Sequence, residues 1–379
     1  MFNIDLNDLK SFHEVVGLGK KSMTKRRIHM KFKKISIIFA VSLSLLLTAC
    51  TNSEKPSSNG DDNPTPSENI GAPASVEYPI TIQHAFGETI IEEKPENIVT
   101  ISWGNQDVPL ALGVVPVGVS EANYGVIDGS GLLPWTLEGF KNLGVDNPVL
   151  FKDTAGLDFE AINDVQPDVI LAAYSGLTQE EYDLLSSIAP VVAYPTLAWQ
   201  TYWREQIIMD AAGMGMKAEG EELVTELEKL IDSKISDYPQ IEGKSAAFFY
   251  FNPSDFGTFY IYLPADPRAA YLTDLGMELP KSVLDIAEDS ASFTIELSAE
   301  NADKLDDIDI IIAYGDSTVL KALQNDPLMG SIPAIERGSV AMITDGTPLA
   351  ASGTPTALSI PATIDEFLKI IAEAADKVK

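Results

Sequence analysis

A chain of 379 residues with 26 Lys and Arg against 56 Asp and Glu carries a formal net charge of −30. Phosphate contacts need the opposite sign, so this balance excludes nucleic acid as a partner. One cysteine excludes a disulfide framework, and a chain this long can be held by its own hydrophobic core.

Residues 1–29 fit no structural pattern, and Met30 makes the better start. Lys31, Lys33 and Lys34 then lead into an apolar run over residues 35–47, followed by Thr48, Ala49 and Cys50. That is the order of a secretory signal, and the run is too short for a transmembrane span. The segment "LTAC" resembles the lipobox of bacterial lipoproteins, which implies cleavage before Cys50 and a diacylglyceryl anchor on it. Two or more acyl chains hold a protein stably at a membrane. Residues 1–49 therefore read as leader, with the signal peptide over 30–49. Residues 50–75, rich in Ser, Asn, Pro, Asp and Glu, predict a tether, because too few apolar side chains are present to offset the entropy of ordering. The expected location is the outer face of the cell membrane.

From Val76 onward, β-branched runs alternate with amphipathic ones. "NIVTIS", "VVPVGVS", "PDVILAA" and "APVVAY" predict buried strands, separated by helical segments such as "NQDVPLALG" and "TQEEYDLLSSIA". This alternation predicts α/β units with parallel strands. Residues 221–238 run without Gly or Pro, and Leu223, Leu227, Leu230, Ile231 and Ile235 fall at helical spacing. A helix of that length reaches about 27 Å, enough to join two domains. Strands resume in "SAAFFYF", "TFYIYL", "DIDIIIAY" and "SVAMIT". The stretches at 156–176 and 295–316 echo each other: capping residue, Glu two positions on, short helix, acidic turn, buried strand, Tyr. The expected fold is α/β, with two Rossmann-like lobes over 76–216 and 239–379, one connecting helix over 217–238 and a cleft between the lobes.

Ligands of open α/β sheets bind beyond the carboxyl ends of the strands. Here those ends are aromatic: Trp103, Tyr124, Tyr174, Tyr194 and Trp199 in the first half, then Tyr250, Phe251, Tyr260, Tyr262 and Tyr314. Rings and hydroxyls at equivalent ends of both lobes suit a sizeable, partly aromatic or amide-rich ligand. The ligand-binding candidates are Trp103, Tyr124, Tyr174, Trp199, Tyr250, Tyr260 and Tyr314, with Arg268 as anion anchor because it opens a helix in "ADPRAAYLTDLG". Only three arginines follow the leader; Arg204 fits a surface ion pair and Arg337 a structural role.

The order of "ITIQHAFGETIIEEKPENIVTIS", "ALGVVPVGVS", "GLDFEAINDVQPDVILA", "LLSSIAPVVAY", "YLTDLGMELP", "ELSAENADKL" and "LSIPATIDEFL" resembles the substrate-binding lipoproteins of ABC importers for ferric siderophores, haem and vitamin B12. The resemblance runs from Tyr78 to the C terminus. It implies two rigid lobes on a connecting helix, a ferric siderophore as ligand with no cofactor, and docking on a permease through one carboxylate per lobe. The matching positions are Glu160 in "DFEAIN" and Glu300 in "SAENAD". Rim carboxylates can steer docking and fix its register, although both also suit the first turn of a helix. Several family members bind anionic chelates through two or three cleft arginines, and this chain can supply at most one or two. That favours a neutral or mildly charged ferric hydroxamate or mixed-ligand chelate over a tris-catecholate. The chain is expected to act as a monomer.

Other classes fit less well. A bare-metal receptor needs several His, Asp or Glu ligands, and His84, the one histidine after the leader, lies in a strand-like run that reads as structural. No G-x-S-x-G or Gly-rich phosphate loop is present, and a hydrolytic triad would depend on His84. A haem or cobalamin receptor of the same fold, and a tethered adhesion protein, remain as alternatives that saturable ligand binding separates.

Overall fold

The computed structural model describes residues 76–153, 156–288 and 290–378. The leader, Cys50 and the tether lie outside the described residues. The fold opens with a hairpin of β1 (Ile80–His84) and β2 (Gly87–Ile91). His84 is buried there. Thr89 donates to the Val191 carbonyl at 2.6 Å, so it accepts from His84 Nε2 at 2.9 Å, while Nδ1 takes the Phe86 amide at 3.2 Å. That pattern fixes a neutral ring with its proton on Nε2, and burial lowers the imidazole pKa in the same sense. His84 is therefore a structural residue.

The first lobe is a parallel sheet in the order β5-β4-β3-β6-β7. Its strands are β3 (Ile98–Thr100), β4 (Gly118–Ser120), β5 (Leu150–Phe151), β6 (Val169–Ala172) and β7 (Val191–Ala193). Helices Asp107–Ala111, Pro134–Asn142, Phe159–Asp164 and Gln179–Ser186 connect them. The last has a capping box in which Thr178 and Glu181 satisfy each other's backbone amides. Helices Trp203–Gly213 and Lys217–Ile235 follow.

The second lobe holds β8 (Ala246–Asn252), β9 (Asp255–Tyr262), β10 (Thr294–Ser298), β11 (Ile310–Tyr314) and β12 (Val340–Ile343), ordered β10-β9-β8-β11-β12. Its β8, β11 and β12 are parallel, as expected, but β8-β9-β10 run antiparallel. For β8 and β9 the reason is the short link Pro253-Ser254, where the Asn252 side chain accepts the Ser254 amide at 3.0 Å. Such a link makes a hairpin, whereas a parallel crossover needs a dozen residues or more.

The 19-residue helix Lys217–Ile235 spans about 28 Å. It stops short of Tyr238 because Tyr238 precedes Pro239, and the residue before proline avoids the helical region. The helix packs against helix Trp203–Gly213 on one side and the C-terminal helix Ser359–Ala375 on another. One buried apolar cluster consequently crosses the molecule. It runs from Leu171 and Val192 through Ile207, Leu227 and Ile231 to Phe248, Ile312, Phe367 and Leu368. Each such side chain contributes roughly 1.5–3 kcal/mol by leaving water. The outer faces of the sheets carry separate cores, around Phe249, Phe251 and Phe259 in one lobe and Ile162, Ile170 and Leu185 in the other.

Candidate ligand-binding site

The site is built from the strand ends. Two-residue periodicity puts Phe248 and Tyr250 on one face of β8, and the hairpin register sets Tyr250 opposite Tyr260. Tyr262 shares that face and meets Phe248 edge-on with centroids 5.5 Å apart. Tyr314, at the end of β11, lies 5.1 Å from Phe248 and 6.4 Å from Tyr124 of the first lobe. Tyr124 is held by its hydroxyl, which donates to Asp345 Oδ1 at 2.5 Å and accepts the Gly346 amide at 3.1 Å. The loop after β4 is thus tied to the loop after β12.

Arg268 lies in the first turn of helix Pro267–Asp274, whose cap is Asp266. Asp266 is fully buried and takes Arg268 Nε and Nη2 at 2.8 Å each, a two-pronged ion pair. The guanidinium sits 3.9 Å above the Tyr262 ring, and 19% of its side chain stays exposed. Burial opposes its charge, yet Asp266 holds the pKa well above the ordinary guanidinium value. Arg268 also bonds the Tyr314 hydroxyl.

On the first-lobe side, Tyr174 follows β6 by two residues and meets Trp199 edge-on at 5.4 Å. The Trp199 ring lies so close to Gly176 that a Cβ there would be 2.3 Å from the indole nitrogen. Its backbone is left-handed, at φ 61°, and its amide donates to the Ser175 carbonyl at 3.0 Å. Tyr174 bonds Thr354 of the second lobe and lies close enough to Asp266 and Arg268 to feel their charges. Nearby, Gln200 and Tyr202 donate to the Ala291 and Pro264 carbonyls at 3.0 and 2.9 Å, so the lobes also meet here.

Burial pushes the Tyr124, Tyr174 and Tyr314 phenols up. Burial and the Glu296 carboxylate, which accepts its hydroxyl, push Tyr260 up to about 12. These groups therefore stay protonated and act as hydrogen-bond donors beside apolar rings. Among the described residues, no three His, Cys, Asp or Glu side chains gather as a metal-binding group.

Tyr124, Tyr174, Trp199, Arg268 and Tyr314 thus form one connected cluster. Tyr250 and Tyr260 pair at its border, 6.0 Å apart. Trp103 packs beside Tyr124 on a small cluster with Leu133, Trp135 and Ala351, and its carbonyl accepts Gln206 Nε2 at 3.1 Å. Arg204 pairs with Glu228 and Asp274 at 2.6 and 2.8 Å and stacks on the Trp203 ring at 4.2 Å. Arg337 caps the Ile308 and Asp309 carbonyls at 3.0 and 2.6 Å. Glu160 and Glu300 are exposed, one per lobe, behind the caps Asp158 and Ser298, and neither forms an ion pair among the described residues.

Sequence reasoning missed Asp266, Asp345 and Thr354, and preferred Tyr260 to the more central Tyr262. The shared parity of Tyr250, Tyr260 and Tyr262 was the available signal for Tyr262. Asp345 reads as an ordinary turn residue, and its link to Tyr124 crosses 221 positions.

Comparison with known proteins agrees with this architecture. The crystal structure of Streptococcus pneumoniae TIGR4 PiaA in complex with ferrichrome superposes with a TM-score of 0.77 at 51% identity, covering 79% of this chain and 100% of that one. FecB of Escherichia coli, an Fe(3+) dicitrate-binding periplasmic protein, is 24% identical over 275 residues, covering 71% of this chain and 84% of FecB. YhfQ of Bacillus subtilis is 28% identical over 213 residues, covering 55% of this chain and 56% of YhfQ, so the match spans about half of that relative. The periplasmic binding protein family profile matches residues 98–346, two lobes and connecting helix included, and the chain belongs to that family.

Proposed function

We propose that this protein is an extracytoplasmic, lipid-anchored receptor that captures a ferric hydroxamate siderophore and delivers it to an ABC import permease. The observation that carries this reading is the 51% identity to PiaA over that whole chain, in a complex with ferrichrome. A second PiaA structure is described as an iron uptake ABC transporter substrate-binding protein. Ferrichrome is a neutral ferric tris-hydroxamate, and the electrostatics of this cleft suit a neutral chelate. Arg268 is the one guanidinium among the rings, and the buried Asp266 already balances it. What remains for a ligand is ring surface and phenol donors. An anionic chelate, such as the ferric dicitrate of FecB's name, would meet beside these rings a guanidinium already paired with a buried carboxylate.

The lipobox cysteine Cys50 supplies the anchor. Glu160 and Glu300 supply one docking carboxylate for each lobe, and their exposure leaves them accessible to cationic pockets on a permease.

Tryptophan fluorescence of the chain from Thr51 onward, titrated with ferric tris-hydroxamates, ferric catecholates, ferric citrate, haem and cobalamin, tests the reading. Saturable quenching by the ferric hydroxamates, with no response to the iron-free chelators, is expected, because Trp103 and Trp199 border the cleft. A flat response to the ferric hydroxamates would sink the proposal. Saturation by haem or cobalamin instead would assign a different substrate to the same fold.

A further inference from the structure

A carboxylate without an ion-pair partner stands beside the tyrosine rings. Asp345 follows β12 at its carboxyl end, on the parallel side of the second sheet, and is exposed. Its Oδ1 accepts from the Tyr124 hydroxyl and the Gly346 amide, whereas Oδ2 has no partner among the described residues. No lysine or arginine reaches ion-pair distance of it among those residues. The carboxylate acts electrostatically on Tyr124, Tyr250 and Tyr262, so it stands among rings. Glu296, on the Tyr260 hydroxyl, adds a second negative group at the border. Arg268 cannot balance them, since its charge is spent on Asp266.

A carboxylate beside tyrosine rings can recognise an ammonium group: the carboxylate takes its protons and a neighbouring ring can attract the cation. We propose that Asp345, with the rings of Tyr124 and Tyr250, forms a subsite for a protonated amine carried by the ferric chelate, so that the receptor prefers a cationic ferric tris-hydroxamate to a neutral one. The inference rests on the ferric hydroxamate reading above and adds the side-chain charge that the site selects.

The test compares two ligands that differ in one group: a linear ferric tris-hydroxamate with a free terminal ammonium, and the same molecule N-acetylated. Calorimetry with the chain from Thr51 onward should give about fivefold tighter binding of the ammonium form at low ionic strength, as expected for one partly screened charge pair. The ratio should fall towards one in 1 M salt and in Asp345→Asn. Asp345→Ser serves as the second variant, and unchanged melting temperatures show that both fold. Tyr124→Phe, which keeps the ring and releases the carboxylate, should retain the preference. Equal affinities for the two ligands in the unmodified protein, or a preference that survives both Asp345 variants, would overturn the subsite while leaving the ferric hydroxamate reading standing. Failure of both ligands and of every other ferric hydroxamate to bind would instead overturn that underlying reading.

Discussion

Arg268 illustrates how a residue type can be found in the sequence while its role is not. Its position at a helix start after "ADP" marked it as an anion anchor, but the cap residue Asp266 two positions earlier turns its side chain into half of an ion pair. Local spacing carries no record of which way a side chain folds back. Arg268→Leu should therefore cost about 3 kcal/mol in denaturant unfolding, because it leaves a fully buried carboxylate unpaired. The double variant with Asp266→Leu should be less damaging than Arg268→Leu alone; a double variant at least as unstable would show that Asp266 is not the origin of the loss. The rings were more legible. Tyr124, Tyr174 and Tyr314 could be picked out because each follows a strand-like run, and strand ends are where a parallel sheet presents side chains to a ligand. Asp345 was not legible, since only the fold brings it to Tyr124.

At the level of elements, hydrophobic period and length predicted four of the five strands of the first sheet and the connecting helix, whereas the two-residue edge strand β5 is too short to show a period. The second sheet was misread at β9, where the hairpin signal in "NPSDFG" was outweighed by the general βα alternation. The join between helices Trp203–Gly213 and Lys217–Ile235 depends on a position that sequence patterns count as a weakness. A Cβ on Gly220 would stand 2.5 Å from the Ala211 methyl, so the glycine allows the two helices to touch. Alanine usually gains about 1 kcal/mol over glycine inside a helix. Here Gly220→Ala should gain nothing, and Gly220→Leu should destabilise by about 1–3 kcal/mol through overpacking. Adding Ala211→Gly to Gly220→Ala should relieve the clash but cost the first helix about 1 kcal/mol, so the swap should return stability to near that of the unmodified protein. Urea unfolding midpoints of the unmodified protein and the three variants decide it, and a plain gain from Gly220→Ala would refute the close contact.

Across the whole molecule, the lobes are joined by polar contacts as well as by the shared core. Asp107 is fully buried and accepts from Trp135 Nε1 at 3.0 Å, Thr136 at 2.7 Å and, from the second lobe, Thr356 at 2.5 Å. Burial raises its pKa from 3.8 to about 6, against the lowering effect of those three donors. The folded protein thus keeps a proton that the unfolded chain releases earlier. Its contribution to stability is greatest below pH 4 and falls by about 3 kcal/mol as pH rises through 6. Asp107→Asn should remove this slope, so the variant's stability relative to the unmodified protein should improve between pH 4 and pH 7. Melting curves across that range measure it, and a difference independent of pH would reject the assignment. Buried Asp210 slopes the same way in both proteins and cancels in the comparison.

The cluster that runs from Leu171 to Leu368 has a consequence for transport. Parting the lobes would strip water-free contacts from both halves at once, so the receptor has no inexpensive open state of its own to visit. In the proposed role, how long a chelate stays would then be decided by its contacts with the rings. Emptying such a receptor would be mechanical work done from outside, by a partner that holds the two halves and pulls against that common core.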